Sequence, residues 1–125
     1  MKSRTIRHIV LLIGTAAAAV SCGRAAARDI TLVARGMTFA LPDRPEAANP
    51  VLQLRAGERV RLILRNEAPG LVHDVAIPAW GVATEAIPDG QSATVTFVVL
   101  GGDGAVEYQC RPHAAMMTGR IDVKD

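Results

Sequence analysis

The segment Arg59–Arg65 (RVRLILR) alternates strictly, with Val60, Leu62 and Leu64 on one side and Arg59, Arg61, Ile63 and Arg65 on the other. Side chains of a strand point to opposite faces in turn, whereas apolar positions of an amphipathic helix recur every three or four residues. The segment therefore reads as a strand with one buried face and one wet face. Its arginines read as a solvated face rather than a binding patch.

Runs of the same kind recur at Asp29–Arg35, Met37–Leu41, Val51–Leu54, Val72–Ile77, Gln91–Leu100, Ala105–Cys110 and Gly119–Val123. In Gln91–Leu100, Ala93, Val95, Phe97 and Val99 share one face. The breaks are Pro42–Pro50 with its three prolines, Pro69-Gly70, Pro88-Asp89-Gly90 and the glycine-rich Gly101–Gly104. Nothing after Ala27 has the spacing of a strong helix. Seven or eight short strands with turn signals between them predict an all-β fold, a Greek-key β-sandwich.

The 125 residues fit one domain and exclude a large multi-domain enzyme. A formal charge of +2 is too small for the basic stripe of a nucleic-acid binder, and 50% hydrophobic residues exclude wholesale disorder. The apolar run Ile9–Val20 follows Lys2, Arg4 and Arg7, the pattern of an export signal, and is too short to span a bilayer. Residues 1–27 are thus expected to be a leader and 28–125 the functional domain. Ala19-Val20-Ser21-Cys22 reads as a lipoprotein cleavage site with Cys22 as the lipidated residue. Ordinary cleavage after Ala27 is the alternative. Loss of Lys2, Arg4 and Arg7 leaves 11 basic against 12 acidic residues, a net charge of −1. Cleavage after Ala27 also removes Arg24, for −2. The expected location is periplasmic, either soluble or anchored in the membrane through Cys22. Neither cut leaves two cysteines as an internal pair.

The remaining cysteine, Cys110, lies three residues before His113 and seven before Met117, with Met116 adjacent. Thiolate, imidazole and thioether together favour copper over magnesium, calcium or manganese, and zinc seldom takes a thioether. A second, distant histidine, His73, would complete a trigonal site of two imidazoles and a thiolate with a weak axial methionine. The cluster lies between the last two strands, whose rigid ends can hold a ligand loop. No Ser-His-Asp set, phosphate-cradling glycine loop or carboxylate pair can be assembled, so no enzymatic activity is expected. Asp74, Glu107 and Asp122 read as solvated or strand-end charges, and Trp80 as either core or surface aromatic.

The chain resembles the cupredoxins, the blue-copper family of plastocyanin, amicyanin and azurin, over about residues 29–124. The resemblance is carried by Ala56-Gly57-Glu58 before the strand Arg59–Leu64, by Asn66 ahead of His73, and by His73-Asp74. It continues in Tyr108-Gln109-Cys110-Arg111-Pro112-His113 and Met117-Thr118-Gly119-Arg120-Ile121. It implies that His73, Cys110, His113 and Met117 bind one copper ion. Met117 is preferred over Met116 because the family's methionine is usually followed by one residue and then glycine.

Two positions depart from the family pattern. Asp74 stands where many members have Asn, though its backbone N–H can still face the sulfur. Pro112 has no N–H to offer the sulfur, which is expected to leave the thiolate more donating and the potential lower. The implied function is a one-electron carrier, Cu(I)/Cu(II), outside the cytoplasmic membrane. Redox partner proteins would dock transiently on the apolar surface around His113. The protein is expected to be a monomer with no nucleic-acid partner. The alternative is a protein that stores or delivers copper without a redox partner. A dinuclear copper site would need a second cysteine in the loop.

Overall fold

The computed structural model describes residue 18, residues 23–102 and residues 104–125. The apolar run Ile9–Val20, save Ala18, and Cys22 lie outside the described residues. Among the described residues nine strands form: β1 (Arg28–Arg35), β2 (Thr38–Ala40), β3 (Leu52–Arg55), β4 (Arg59–Asn66), β5 (Ala76–Ile77), β6 (Val82–Ala83), β7 (Ser92–Val98), β8 (Val106–Gln109) and β9 (Thr118–Lys124). One 3-10 turn, Pro78–Trp80, joins β5 to β6.

The strands make a four-stranded sheet in the order β2-β1-β4-β7 and a five-stranded sheet in the order β3-β9-β8-β5-β6. β1 runs parallel to β4 and β3 parallel to β9, while the other neighbours are antiparallel. Parallel neighbours cannot be joined by a tight hairpin. The chain therefore crosses between the two sheets, and the outcome is the all-β sandwich that the strand spacing predicts.

The alternation in β4 does what it predicts. Val60, Leu62 and Leu64 are buried against Leu32, Phe39, Leu54, Ile77, Tyr108 and Ile121. Each large side chain buried in this way contributes about 1.5–3 kcal/mol. Two of the outward arginines are exposed and paired: Arg61 with Asp29 of the adjacent β1, and Arg65 with Glu67 at 2.6 Å. Trp80 is half-buried and packs on Phe97, with ring centroids 5.7 Å apart.

The expected strand Val72–Ile77 is shorter than its sequence suggests. Only Ala76–Ile77 joins the sheet as strand, and His73 makes an isolated bridge to Ile87 with N–H···O distances of 3.0 and 2.8 Å. The ladder breaks because polar side chains take up the intervening backbone. Thr84 Oγ1 accepts from the Val75 N–H at 3.1 Å, and the Asp74 carboxylate turns towards Arg111. β6, which the sequence pattern does not predict as a strand, is only two residues long and ends where Thr84 begins this diversion.

Candidate metal centre

His73 is placed by Asn66, the last residue of β4. The Asn66 side chain is buried and fully used: Nδ2 donates to the carbonyls of Leu71 (2.8 Å) and Ile87 (2.9 Å), and Oδ1 accepts from the Ala68 N–H (3.0 Å). It thereby folds the Glu67–Val72 loop and holds Ile87, which in turn pairs with His73.

Cys110, His113 and Met117 are placed by a loop that closes on itself between β8 and β9. The Cys110 N–H donates to the Met117 carbonyl at 3.0 Å, and this bond extends the β8–β9 ladder by one step. The His113 N–H donates to the Cys110 carbonyl at 3.2 Å, and the Met117 N–H to the His113 carbonyl at 2.9 Å. Thr118 Oγ1 donates to the Ala114 carbonyl at 2.7 Å.

These two constructions bring the donors together. Cys110 Sγ lies 3.6 Å from His73 Nδ1 and 3.6 Å from His113 Nδ1, and all three atoms fall within 4.8 Å of one another. Cys110, His73 and Met117 are completely buried, and His113 is half-buried. The imidazoles meet edge-on, with ring centroids 4.9 Å apart at 62°. Burial also separates the two methionines: Met117 is 0% exposed and Met116 is 59% exposed.

The donor set fits a single bound ion. With metal–nitrogen bonds near 2.0 Å and a metal–sulfur bond near 2.3 Å, ligands about 110–120° apart are separated by roughly 3.5–3.7 Å. The observed 3.6 Å agrees without any rearrangement. Burial pushes the Cys110 thiol above its ordinary pKa, while the backbone N–H groups of Asp74 and His113 pull it the other way. Burial, helped by the nearby His113, lowers that of His73, against opposition from the Gly36 backbone and the Asp74 charge. His73 Nε2 is itself buried without a hydrogen-bond partner of ordinary geometry. The metal-free site thus holds a neutral thiol and a neutral imidazole, and a bound cation stabilises the deprotonated sulfur.

Three residues outside the donor set lock this arrangement; sequence reasoning misread the burial of the first and passed over the second. Asp74, expected to be solvated, is 2% exposed: its carboxylate accepts from the Arg111 backbone N–H at 2.8 Å and from Arg111 Nε at 2.6 Å. Thr84 offers its carbonyl to Arg111 Nη2 at 3.2 Å. The expectation fails because a carboxylate is buried only when paired, and its partner lies 37 residues away. Tyr108, two residues before Cys110, is fully buried, and its hydroxyl donates to the Pro50 carbonyl at 2.6 Å.

One thiolate donor and two imidazole donors gathered at a common point, beside a buried thioether residue at the end of a β-sandwich, define a protein that binds a single soft metal ion. The chain belongs to the plastocyanin/azurin family of copper-binding proteins, whose description it matches over residues 55–124. Copper is accordingly its cofactor.

Solved structures of the same fold include auracyanin A, a "blue" copper protein from the green thermophilic photosynthetic bacterium Chloroflexus aurantiacus. That likeness has a TM-score of 0.63 at 15% identity and covers 79% of this chain and 100% of that one. Auracyanin from the photosynthetic bacterium Roseiflexus castenholzii gives a TM-score of 0.61 at 16% identity, covering 80% and 100%. A multicopper oxidase from the hyperthermophile Aquifex aeolicus gives 0.60 at 14% identity, covering 78% of this chain and 27% of that one. Comparison with curated protein sequences gives no match.

Proposed function

We propose that this protein is a one-electron carrier whose single copper ion is held by His73 Nδ1, Cys110 Sγ, His113 Nδ1 and the Met117 thioether, and that it is not an enzyme. The observation that carries this reading is the buried triangle of Cys110, His73 and His113 with its 3.6 Å sulfur–nitrogen separations. Copper in such a set takes up and gives back one electron. The protein's part is to keep the donors still: the Asn66 network fixes His73, and the closed loop fixes Cys110, His113 and Met117. Little has to move when the charge at the site changes.

His113 is the donor with partial access to solvent, and Met116 beside the site is 59% exposed. This surface suits brief contacts with redox proteins, which typically bury less than about 1,200 Å². The near-neutral domain that cleavage would leave makes such docking mainly apolar. We place the protein outside the cytoplasmic membrane, either soluble or anchored through Cys22. Mass spectrometry of the mature N-terminus in wild type and Cys22→Ser distinguishes the two forms.

The exposed Met116 thioether favours a second reading, in which the protein stores or delivers copper. A carrier gives slow loss of Cu(I) to a chelator and fast electron self-exchange; delivery reverses both. The ligand assignment is tested by adding Cu(II) to residues 28–125 and recording the thiolate-to-copper absorption. An intense blue band that Cys110→Ser abolishes is expected, and a band that survives the substitution overturns the assignment.

A further inference from the structure

The proline-rich segment between β2 and β3 supplies no donor to the site, yet one of its residues reaches the ligand loop. Asn49 Nδ2 donates to the Met116 carbonyl at 2.9 Å across 67 residues of sequence. Asn49 Oδ1 accepts from the Phe39 N–H at 3.0 Å, and the Asn49 N–H donates to the Phe39 carbonyl at 2.7 Å. The two side-chain partners fix the orientation of the amide, because a carbonyl requires the nitrogen and an N–H requires the oxygen. Asn49 is also the one non-glycine residue among those described with a positive φ, 47°, a conformation that asparagine tolerates better than most residues.

The Met116 carbonyl and the Met117 N–H belong to one rigid peptide plane. Asn49 holds the carbonyl end of that plane, and the His113 carbonyl holds the N–H end at 2.9 Å. The plane on the other side of Met117 is held by the bond from the Cys110 N–H. Asn49 therefore completes the restraint on the backbone from which the Met117 side chain enters the core. Its neighbour Pro50 takes the Tyr108 hydroxyl, so this one corner grips both β8 and the ligand loop that follows it.

We infer that Asn49 is a positioning residue for the methionine end of the ligand loop, tying it to β2 and setting how Met117 meets the copper. The inference rests on the reading of Met117 as the axial donor. A thioether held less firmly changes both the absorption and the potential, since the axial ligand tunes that potential.

Two variants test it. Asn49→Asp keeps the oxygen that accepts from Phe39 and loses the donor to Met116, while Asn49→Gly adopts the positive φ freely and loses both contacts. In the copper-free protein, hydrogen exchange at the Met117 amide should quicken about fivefold in both variants, with β4 amides unchanged. In the copper-loaded protein, the thiolate-to-copper band and the reduction potential should both shift from wild type. Unchanged Met117 exchange, or faster exchange with band and potential unaltered, overturns the inference. Absence of the blue band in wild type overturns the ligand reading instead, and the exchange comparison still decides whether Asn49 anchors the loop.

Discussion

Asp74 and Arg111 form an ion pair of unequal halves: the carboxylate is 2% exposed at the side chain and the guanidinium 55%, with Oδ2 and Nε 2.6 Å apart. The pair joins the residue after His73 to the residue after Cys110, so it ties together the two segments that carry the site. Most of the electrostatic cost falls on the aspartate, which gives up its water and is repaid by charge-assisted hydrogen bonds from Arg111.

Asp74→Ala should therefore destabilise the copper-free protein by about 1–3 kcal/mol, the range for leaving a buried backbone donor unpaired and losing a paired charge. Asp74→Asn keeps an oxygen for the Arg111 N–H and should cost less than Asp74→Ala. Arg111→Ala leaves the buried carboxylate with its backbone N–H bond but no counter-charge and should cost more than Asp74→Asn. Urea unfolding of the four proteins checks the order, and identical midpoints would show that the pair contributes nothing.

Gly119 stands opposite Tyr108 in the β8–β9 ladder, and a Cβ at this position would collide with the Tyr108 ring. The ring cannot easily yield, because it is buried and its hydroxyl is bound to Pro50. Gly119→Ala should destabilise the fold by about 1–3 kcal/mol or more through overpacking. Tyr108→Phe removes only the hydroxyl and should cost roughly 1–2 kcal/mol, chiefly from the stranded Pro50 carbonyl. In Gly119→Ala combined with Tyr108→Ala the clash disappears. Thermal unfolding should then show the glycine substitution costing far less than it does beside the tyrosine.

These residues also show what can be read from the sequence. The sandwich is legible because its signal is local: alternation in β4 and β7, and glycine or proline at the turns, state the strand period within a few residues. The ligand loop is legible for the same reason, since Cys110, His113 and Met117 fall within eight residues and their chemistry is specific. The supports are not legible. Asp74 finds Arg111 across 37 residues and Asn49 finds Met116 across 67, so nothing near either residue reports its partner. The shortness of β5 and β6 has the same origin, because Asp74 and Thr84 spend their hydrogen bonds on the site and end the ladder.

Pro112 lies between Arg111 and His113 and has no N–H to direct at the Cys110 sulfur. The backbone groups that act on that sulfur are the N–H groups of Asp74 and His113. Pro112→Ala restores a donor to the loop, and a donor at the sulfur withdraws charge from the copper–thiolate bond. The reduction potential of Pro112→Ala should be higher than that of wild type under protein-film voltammetry. A lower or unchanged value would refute the role assigned to Pro112.

Burial lowers the pKa of His73 below its ordinary value near 6.5, so the folded state resists protonating this ring while the unfolded chain does not. Between the folded and unfolded pKa values the unfolded chain binds more protons, and stability rises with pH. The contribution is fully present above about 6.5 and is lost as the pH falls through the lowered folded value. The Cys110 thiol is shifted upward and stays protonated across this window, so it adds no opposing slope. The copper-free protein should therefore melt at progressively lower temperature from pH 7 to pH 5. His73→Gln, which has no group titrating there, should flatten that part of the curve. Scanning calorimetry of both proteins provides the comparison, and parallel curves would place the acid sensitivity elsewhere. Copper loading should steepen the wild-type dependence, because binding requires a neutral His73 and releases the Cys110 proton.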